Sequence, residues 1–311
     1  MRITNNMLVS NMTYNLNGTM KRLERLQYEN SVGKKFRVPS DDPIGASKSL
    51  KFNTDISKVE QYSRNVKDAE SWMKETEGAL KEINEILHRA NELTVQAAND
   101  TNREELDKIA QEIKELKGHL IEIGNSTYAG RSLFTGFKTD EKLLDDKGNY
   151  VVNLQKHDGK DEIFVYNVGV AETVEVNTLG NSVFGSGDKG DYKADVKKDK
   201  KAYLIKVFDD LENSLGEKDN AGIQKALTDI KDAMGNVLTI TSKIGAKSNR
   251  LELTNNKLDE QIVNLKDLLS FNEDVSLPEA YMNLNIAENA YRASLATGAR
   301  IIQPSLMDFL R

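Results

Sequence analysis

Apolar residues recur at coiled-coil spacing along most of this chain, and they do so at both of its ends. Val9, Met12, Leu16, Leu23 and Leu26 fall on one helical face near the N-terminus. Leu277, Tyr281, Leu284, Tyr291, Leu295, Ile302 and Phe309 form a second stripe near the C-terminus. Neither segment can bury its stripe alone, so residues 1–37 and 276–311 read as partners.

The strictest periodicity lies between them. Phe52, Val59, Val66, Met73, Leu80 and Leu87 recur at seven-residue steps, with Ile83, Ala90 and Ala97 as a companion row. This predicts a coiled-coil helix over residues 43–98. Asp42 is placed to cap it, with Pro43 at its first helical position. Thr101 and Glu104 have capping-box spacing and open a third helix, carrying Leu106, Ile109, Ile113, Leu116, Leu120 and Ile123, with Gly124 as its expected C-cap. A later heptad runs unbroken from Ile223 through Leu227, Ile230 and Met234 to Leu269, predicting a helix of roughly 70 Å. A helix of that length needs antiparallel partners in water. Ser276, Leu277, Pro278 and Glu279 again have capping-box spacing, and start the last helix, which Pro304 should kink or end.

The heptads vanish between Phe137 and Lys200. Asn149–Leu154, Asp161–Val168 and Glu172–Asn177 are short, β-branched and aromatic, with Gly-containing turns between them. The expected fold is therefore mainly α: a long antiparallel coiled-coil or helical-bundle rod with paired N- and C-terminal helices and a small β-rich inserted domain. Its expected domains are 1–40 with 277–311, 41–136 with 203–276, and the insert 137–202.

Composition narrows the function classes. Charged residues make up 30% of the chain, which suits long solvated helices. The net charge of −6 argues against general nucleic-acid binding. Up to Ser40, however, seven Lys and Arg face two Glu. That basic segment reads either as a polar helix face or as a surface for a membrane or an acidic partner. The absence of cysteine excludes disulfides, thiolate metal sites and cysteine nucleophiles. Polar residues interrupt the N-terminus before any signal-peptide core forms, and no apolar window is long enough to insert into a membrane.

No catalytic constellation emerges, and no cofactor is expected. Gly185, Gly187 and Gly190 match GxGxxG, but no helical pattern follows, so the segment reads as a surface loop. Asp145, Asp146 and Asn149 lack the ligand spacing of a calcium loop and read as a turn. His88, His119 and His157 are far apart, and the first two flank helix interfaces rather than a metal. What remains is surface for association. The terminal helices carry Tyr14, Tyr28, Phe36, Tyr281, Tyr291 and Phe309, which either cover one another or mark an interaction site.

Several motifs carry a resemblance. They are Met1-Arg2-Ile3-Thr4-Asn5, Ser31-Val32-Gly33-Lys34-Lys35, and Arg37-Val38-Pro39-Ser40-Asp41-Asp42-Pro43. To these are added Ser71-Trp72-Met73, Ala129-Gly130-Arg131-Ser132-Leu133-Phe134-Thr135-Gly136, and the run from Ala299 to Leu310. Together they resemble the flagellin superfamily over residues 1–137 and 203–311, leaving the insert uncovered. The Pro-Ser-Asp-Asp-Pro arrangement and Trp72 favour its junction-forming branch over its filament subunits.

The resemblance implies a structural adaptor of the bacterial flagellum. It would join the preceding junction protein on the hook side to flagellin, and would touch copies of itself in the junction. It would be exported without a cleaved signal peptide, shielded beforehand by an export chaperone, and involve neither nucleic acid nor membrane insertion. Leu284, Tyr291, Leu295, Ile302 and Phe309 are expected to make the chaperone and assembly contacts, and Met12, Leu16, Leu23 and Leu26 the terminal coiled coil. Arg37, Pro39, Asp41, Asp42 and Pro43 are expected at the interdomain joint, with charge pairing there. The competing readings are a flagellin-type filament subunit and a secreted adhesin acting through the insert.

Overall fold

The computed structural model describes residues 5–99, 103–154, 162–187, 190–192 and 195–301. Seven helices are present among them: α1 (Asn5–Val32), α2 (Pro43–Asn99), α3 (Arg103–Gly124), α4 (Gly180–Phe184), α5 (Tyr203–Glu217), α6 (Asn220–Glu273) and α7 (Leu277–Ile301). Two antiparallel hairpins complete the regular structure, β1 (Thr127–Tyr128) with β2 (Arg131–Ser132), and β3 (Val165–Asn167) with β4 (Thr173–Glu175). The fold class is thus mainly α with a small β region, and the two terminal helical regions pair. Thr101 of the expected capping box, His157 and Pro304 lie outside the described residues.

The chain divides into two compact units. One comprises residues 1–58 and 260–311, the other residues 59–259. In the first, α1 packs antiparallel to α7. Val9, Met12, Leu16, Thr19 and Leu23 are half-buried at spacings of three and four, and Leu26 is buried. The facing row on α7 is Ala280, Leu284, Ala287, Tyr291, Ser294 and Gly298, again at alternating four and three.

The buried row of α7 is therefore largely small, and it is not the row its large apolar residues predict. Leu284 and Tyr291 sit in it, whereas Leu277, Tyr281 and Leu295 point to solvent. The physical reason is the size of the α1 side chains. Leu, Met and Val on one helix need small partners on the other if the two backbones are to approach closely.

The second unit is built on the seam that the heptads predict. Val66, Met73, Leu80, Ile83, Leu87, Ala90 and Ala97 of α2 are all buried. They share a core with Ile109, Ile113 and Leu120 of α3 and with Ile223, Ile230, Val237 and Leu251 of α6. Helix α5 packs on α3 through a periodic face of Leu204, Val207, Phe208, Leu211 and Leu215. Lys117 of α3 fastens that contact, reaching Asp209 at 2.9 Å and Glu212 at 2.7 Å. Its half-burial works against the ammonium, but these two partners outweigh that and hold its pKa above the ordinary lysine value.

Residues of the insert complete the same core. Leu143, Leu144, Tyr150, Val152, Leu154, Val174, Phe184 and Val196 are buried in it. The strand expected at 149–154 is reduced to isolated bridges, Asn149 with Lys201, Tyr150 with Leu144 and Leu154 with Val196. Gly124 closes α3 without the positive φ of a C-cap glycine. Its role is steric, since a Cβ there would lie 2.9 Å from Phe184 Cζ and 3.1 Å from Leu144 Cδ1.

Candidate assembly interface

Large apolar side chains reach solvent from every helix of the first unit. Met7, Leu8, Tyr14 and Met20 do so on α1, and Leu277, Tyr281, Met282, Ile286 and Leu295 on α7. Ile44 and Leu50 in the first turns of α2, and Val263, Leu268 and Phe271 near the end of α6, add to them. Phe271 is 79% exposed, which leaves a full aromatic ring in water. Isolated apolar residues on a surface are ordinary, but this density of them marks a surface that another molecule covers.

The expected site residues divide between the two faces of the terminal pair. Met12, Leu16, Leu23 and Leu26 point from α1 into the seam, as do Leu284 and Tyr291 from α7. Leu295, 43% exposed, lies on the outer face. Ile302 and Phe309 lie outside the described residues. Ile44, Leu50 and Phe271 were not singled out by the sequence pattern. Ile44 and Leu50 both precede Phe52, the first residue of the strict heptad, at positions off its seam, and both are exposed.

The segment from Gly33 to Asp42 links α1 to α2. Gly33 has a φ of 76°, a left-handed conformation that ends α1 and turns the chain. Beyond it the backbone pairs with the α6–α7 connection: the Lys35 amide donates to Glu273 O at 2.7 Å, and the Val275 amide donates to Gly33 O at 2.9 Å. The Lys34 ammonium donates to Glu273 Oε2 at 2.9 Å and Asp274 Oδ1 at 2.6 Å. The bond from Lys34, and a second from Ser270, hold the Asp274 carboxyl below its ordinary pKa.

Asp41 and Asp42 serve the backbone. Asp41 Oδ2 accepts from the amides of Arg37 at 3.1 Å and Val38 at 3.3 Å. Asp42 Oδ1 accepts from the Gly45 amide at 2.9 Å, which makes it the side-chain N-cap of α2, with Pro43 at the first helical position. The Arg37 guanidinium lies 5.8 Å from the centroid of the Tyr28 ring, a cation–π distance, and among the described residues no ion pair joins it to either aspartate. The ion pairs of this segment, among the described residues, are those of Lys34 with Glu273 and Asp274. Pro39 and Pro43 are both exposed.

Trp72 marks a separate construction in the second unit. Its ring meets Tyr128 edge-on at 6.0 Å and Phe164 at 6.2 Å, and Phe164 in turn meets Phe137 at 5.1 Å. One aromatic cluster therefore ties α2 to the first hairpin and to the insert. The remaining motifs resolve as loops and turns. Asp145 Oδ1 accepts from the amides of Lys147 at 3.0 Å and Asn149 at 2.7 Å, closing a turn on itself. Burial opposes its charge, but these bonds prevail and lower its pKa. Gly185, Gly187 and Gly190 all have positive φ, in a loop bridged by Ser186 and Asp191. His88 and His119 are exposed beside the buried Leu87 and Leu120. Among the described residues no cluster suited to a metal occurs, and no helix is long and apolar enough to cross a membrane.

Comparison with known proteins matches both ends of the chain. Residues 3–139 fit the bacterial flagellin N-terminal helical region and residues 227–310 the bacterial flagellin C-terminal helical region. The flagellar hook-associated protein 3 of Salmonella typhimurium is 24% identical over 310 residues, covering 96% of each chain. The flagellin of Bacillus subtilis is 28% identical over 310 residues, covering 95% of each. Among solved structures, a flagellar hook-associated protein from Vibrio parahaemolyticus shares the fold with a TM-score of 0.63 at 23% identity, over 75% of this chain and 99% of that one.

Proposed function

The chain belongs to the bacterial flagellin family, whose two helical regions together match well over half of it, and we propose that it is the adaptor subunit joining hook to filament. The observation that carries this reading is the terminal pair, α1 sealed against α7 with large apolar residues left outside, in a chain similar from end to end to a hook-associated protein 3. Such a unit is complete enough to fold and too apolar to stay alone.

Its role is structural rather than catalytic, and it acts in the flagellum. Within the junction it contacts the preceding junction protein on one side, flagellin on the other, and further copies of itself around the structure. Contacts between unlike surfaces of successive subunits propagate helically, as this position requires. Leu295, with Tyr281 and Ile286, supplies part of the outer contact, and Leu284 and Tyr291 hold α7 in place. Before export through the flagellar secretion apparatus, α7 and the residues after it are the amphipathic segment that a chaperone groove would take. Arg37, Pro39, Asp41, Asp42 and Pro43 form the joint between the terminal pair (1–40 with 277–311) and the helical bundle (41–136 with 203–276), with 137–202 as the insert.

The alternative is a filament subunit, favoured by the similarity to flagellin itself. A strain lacking the gene separates the two. Intact hooks, no motility and unpolymerised flagellin in the medium support the adaptor. Intact hooks with no flagellin anywhere make the chain the filament subunit, and normal filaments overturn both.

A further inference from the structure

Among the described residues the α1–α7 seam holds one sulfur, the thioether of Met12. It fills the room that the missing side chain of Gly298 leaves, since a Cβ there would lie 2.9 Å from Met12 Sδ. A thioether suits that seat because it is flexible, unbranched and apolar. The seat is not sealed. Met12 is only half-buried, and a cleft of about 420 Å³ opens beside it between the two helices. Leu8 and Leu16 of α1 line this cleft, with Ala293, Ser294 and Thr297 of α7.

A cleft of this size admits water, and it admits hydrogen peroxide, which is little larger. The reaction open to a thioether there is a two-electron oxidation. The sulfur lone pair attacks one peroxide oxygen, the O–O bond breaks, an S–O bond forms, and the other oxygen leaves as water with both protons. Sulfur is oxidised to the sulfoxide and the peroxide is reduced. The product is bulkier and polar, and it needs hydrogen-bond donors if it is to stay in the seam. The two hydroxyls that α7 brings to the cleft are already engaged, Ser294 donating to Ala290 O at 2.8 Å and Thr297 to Ala293 O at 2.9 Å. The amides of Asn11 and Asn15, both exposed on α1, offer donors on the solvent side, which draws the oxidised end away from the glycine.

We propose that Met12 is a peroxide-modified site, and that its sulfoxide unseats α7 from α1. The inference concerns the free chain and is independent of the junction role. It rests on a lone sulfur in the seam, a glycine seat fitted to the thioether, and an open cleft that leads to it. The other methionines set the scale. Met7, Met20 and Met282 are exposed on the outer faces of the terminal pair and should oxidise first, with no effect on the seam. Met73, buried in the core of the second unit, should oxidise last.

The full chain is treated with hydrogen peroxide, each sulfoxide is followed by peptide mass spectrometry, and α7 is followed by amide hydrogen exchange. Met12 should oxidise within about tenfold of the rate of the exposed methionines and at least about tenfold faster than Met73. Exchange along α7 should rise about tenfold as the Met12 sulfoxide accumulates, and methionine sulfoxide reductases should reverse it. Met12→Leu keeps an apolar side chain and removes the oxidisable atom, so peroxide should change its α7 exchange less than about twofold from its own untreated level. The triple variant Met7→Leu, Met20→Leu, Met282→Leu leaves the seam intact and should respond as the unaltered chain does. Oxidation of Met12 as slow as that of Met73 overturns the proposal. So does full oxidation of Met12 with α7 exchange unchanged, or a response that the triple variant loses.

Discussion

The thioether end of Met12 occupies the space in which residue 298 would carry a side chain. A Cβ on Gly298 would lie 1.6 Å from Met12 Cε and 2.9 Å from its Sδ. Glycine inside a helix costs about 1 kcal/mol relative to alanine, so its presence in α7 needs a compensating contact, and the knob of Met12 is that contact. Gly298→Ala should be mildly destabilising, by about 0–2 kcal/mol. The flexible end of Met12 can swing aside, at a cost of roughly 1–3 kcal/mol that the gain in helix propensity partly offsets. Gly298→Leu leaves no such escape and should raise amide hydrogen exchange along α7 at least about tenfold, a loss of about 1.4 kcal/mol of local stability. Adding Met12→Ala to Gly298→Leu should restore most of the protection. A double variant no better protected than the single one would show that the two residues do not constrain each other.

Asp42 holds the first turn of α2 through the Gly45 amide, and Asp41 holds the turn before it through two amides. Removing a capping carboxylate costs about 1 kcal/mol. Asp42→Ala should therefore accelerate exchange at Gly45 about fivefold while leaving the distant α3 amides unchanged. Asp42→Asn should recover most of the loss, because the amide oxygen caps as well as the carboxylate. Equal effects of Ala and Asn would mean that charge, not capping, is what matters here.

How legible all this was in the sequence depended on residue size and on distance along the chain. Helices α2, α3 and α6 follow from their heptads because large apolar residues there are truly buried, as with Met73, Leu80 and Ile113. Helix α7 reads less well for the opposite reason. Ala280, Ala287 and Gly298 form its seam, and small residues carry little hydrophobic signal, so the eye goes to Tyr281 and Leu295 on the outer face. Helix α5 was not singled out, although Leu204, Phe208, Leu211 and Leu215 repeat at helical spacing. It is short and follows a Lys-rich loop. Val165–Asn167 and Thr173–Glu175 were readable as strands because they pair locally, whereas Leu154 bridges Val196, a partner no local pattern can nominate. Lys34 and Asp274 are separated by most of the chain, so no local pattern announces their ion pair.

The first hairpin turns on Ala129 and Gly130, both at positive φ, 49° and 77°. Two such residues make the turn that suits a two-residue hairpin, and alanine is a poor choice for its first position. The left-handed conformation costs an L-residue with a Cβ about 1–2 kcal/mol, whereas asparagine tolerates it. Ala129→Asn should therefore stabilise the protein by about 0.5–1 kcal/mol, seen as a higher urea midpoint with an unchanged slope. Gly130→Ala should move the midpoint the other way. If Ala129→Asn lowers it, the strain attributed to this turn is relieved elsewhere.

Lys34 and Asp274 give the first unit a pH dependence whose sign is fixed by their shifts. The Asp274 carboxyl is held below its unfolded value of about 3.9, chiefly by the bond from Lys34. Its contribution is complete above that unfolded value and is lost as pH falls through the lower, folded one. Lys34 is raised above its unfolded value of about 10.4, first by Asp274 and then by Glu273. That contribution is complete below the unfolded value and disappears as pH rises through the folded one. Between about pH 5 and 9 the pairing should therefore be flat, with an acid limb set by Asp274 and an alkaline limb set by Lys34. Both side chains are substantially exposed, so each pair contributes only about 0.2–1 kcal/mol and weakens with salt. The amides of Lys35 and Val275 report on it directly, since both bond across the same bridge. At pH 6 and low salt, Lys34→Gln should speed their exchange by about two- to fivefold, and most of that difference should vanish in 1 M salt. The same variant should flatten the acid limb for these two amides. An acid limb unchanged by Lys34→Gln would assign it to Ser270, whose hydroxyl donates to the other Asp274 oxygen at 2.5 Å, and would leave Lys34 with no part in it.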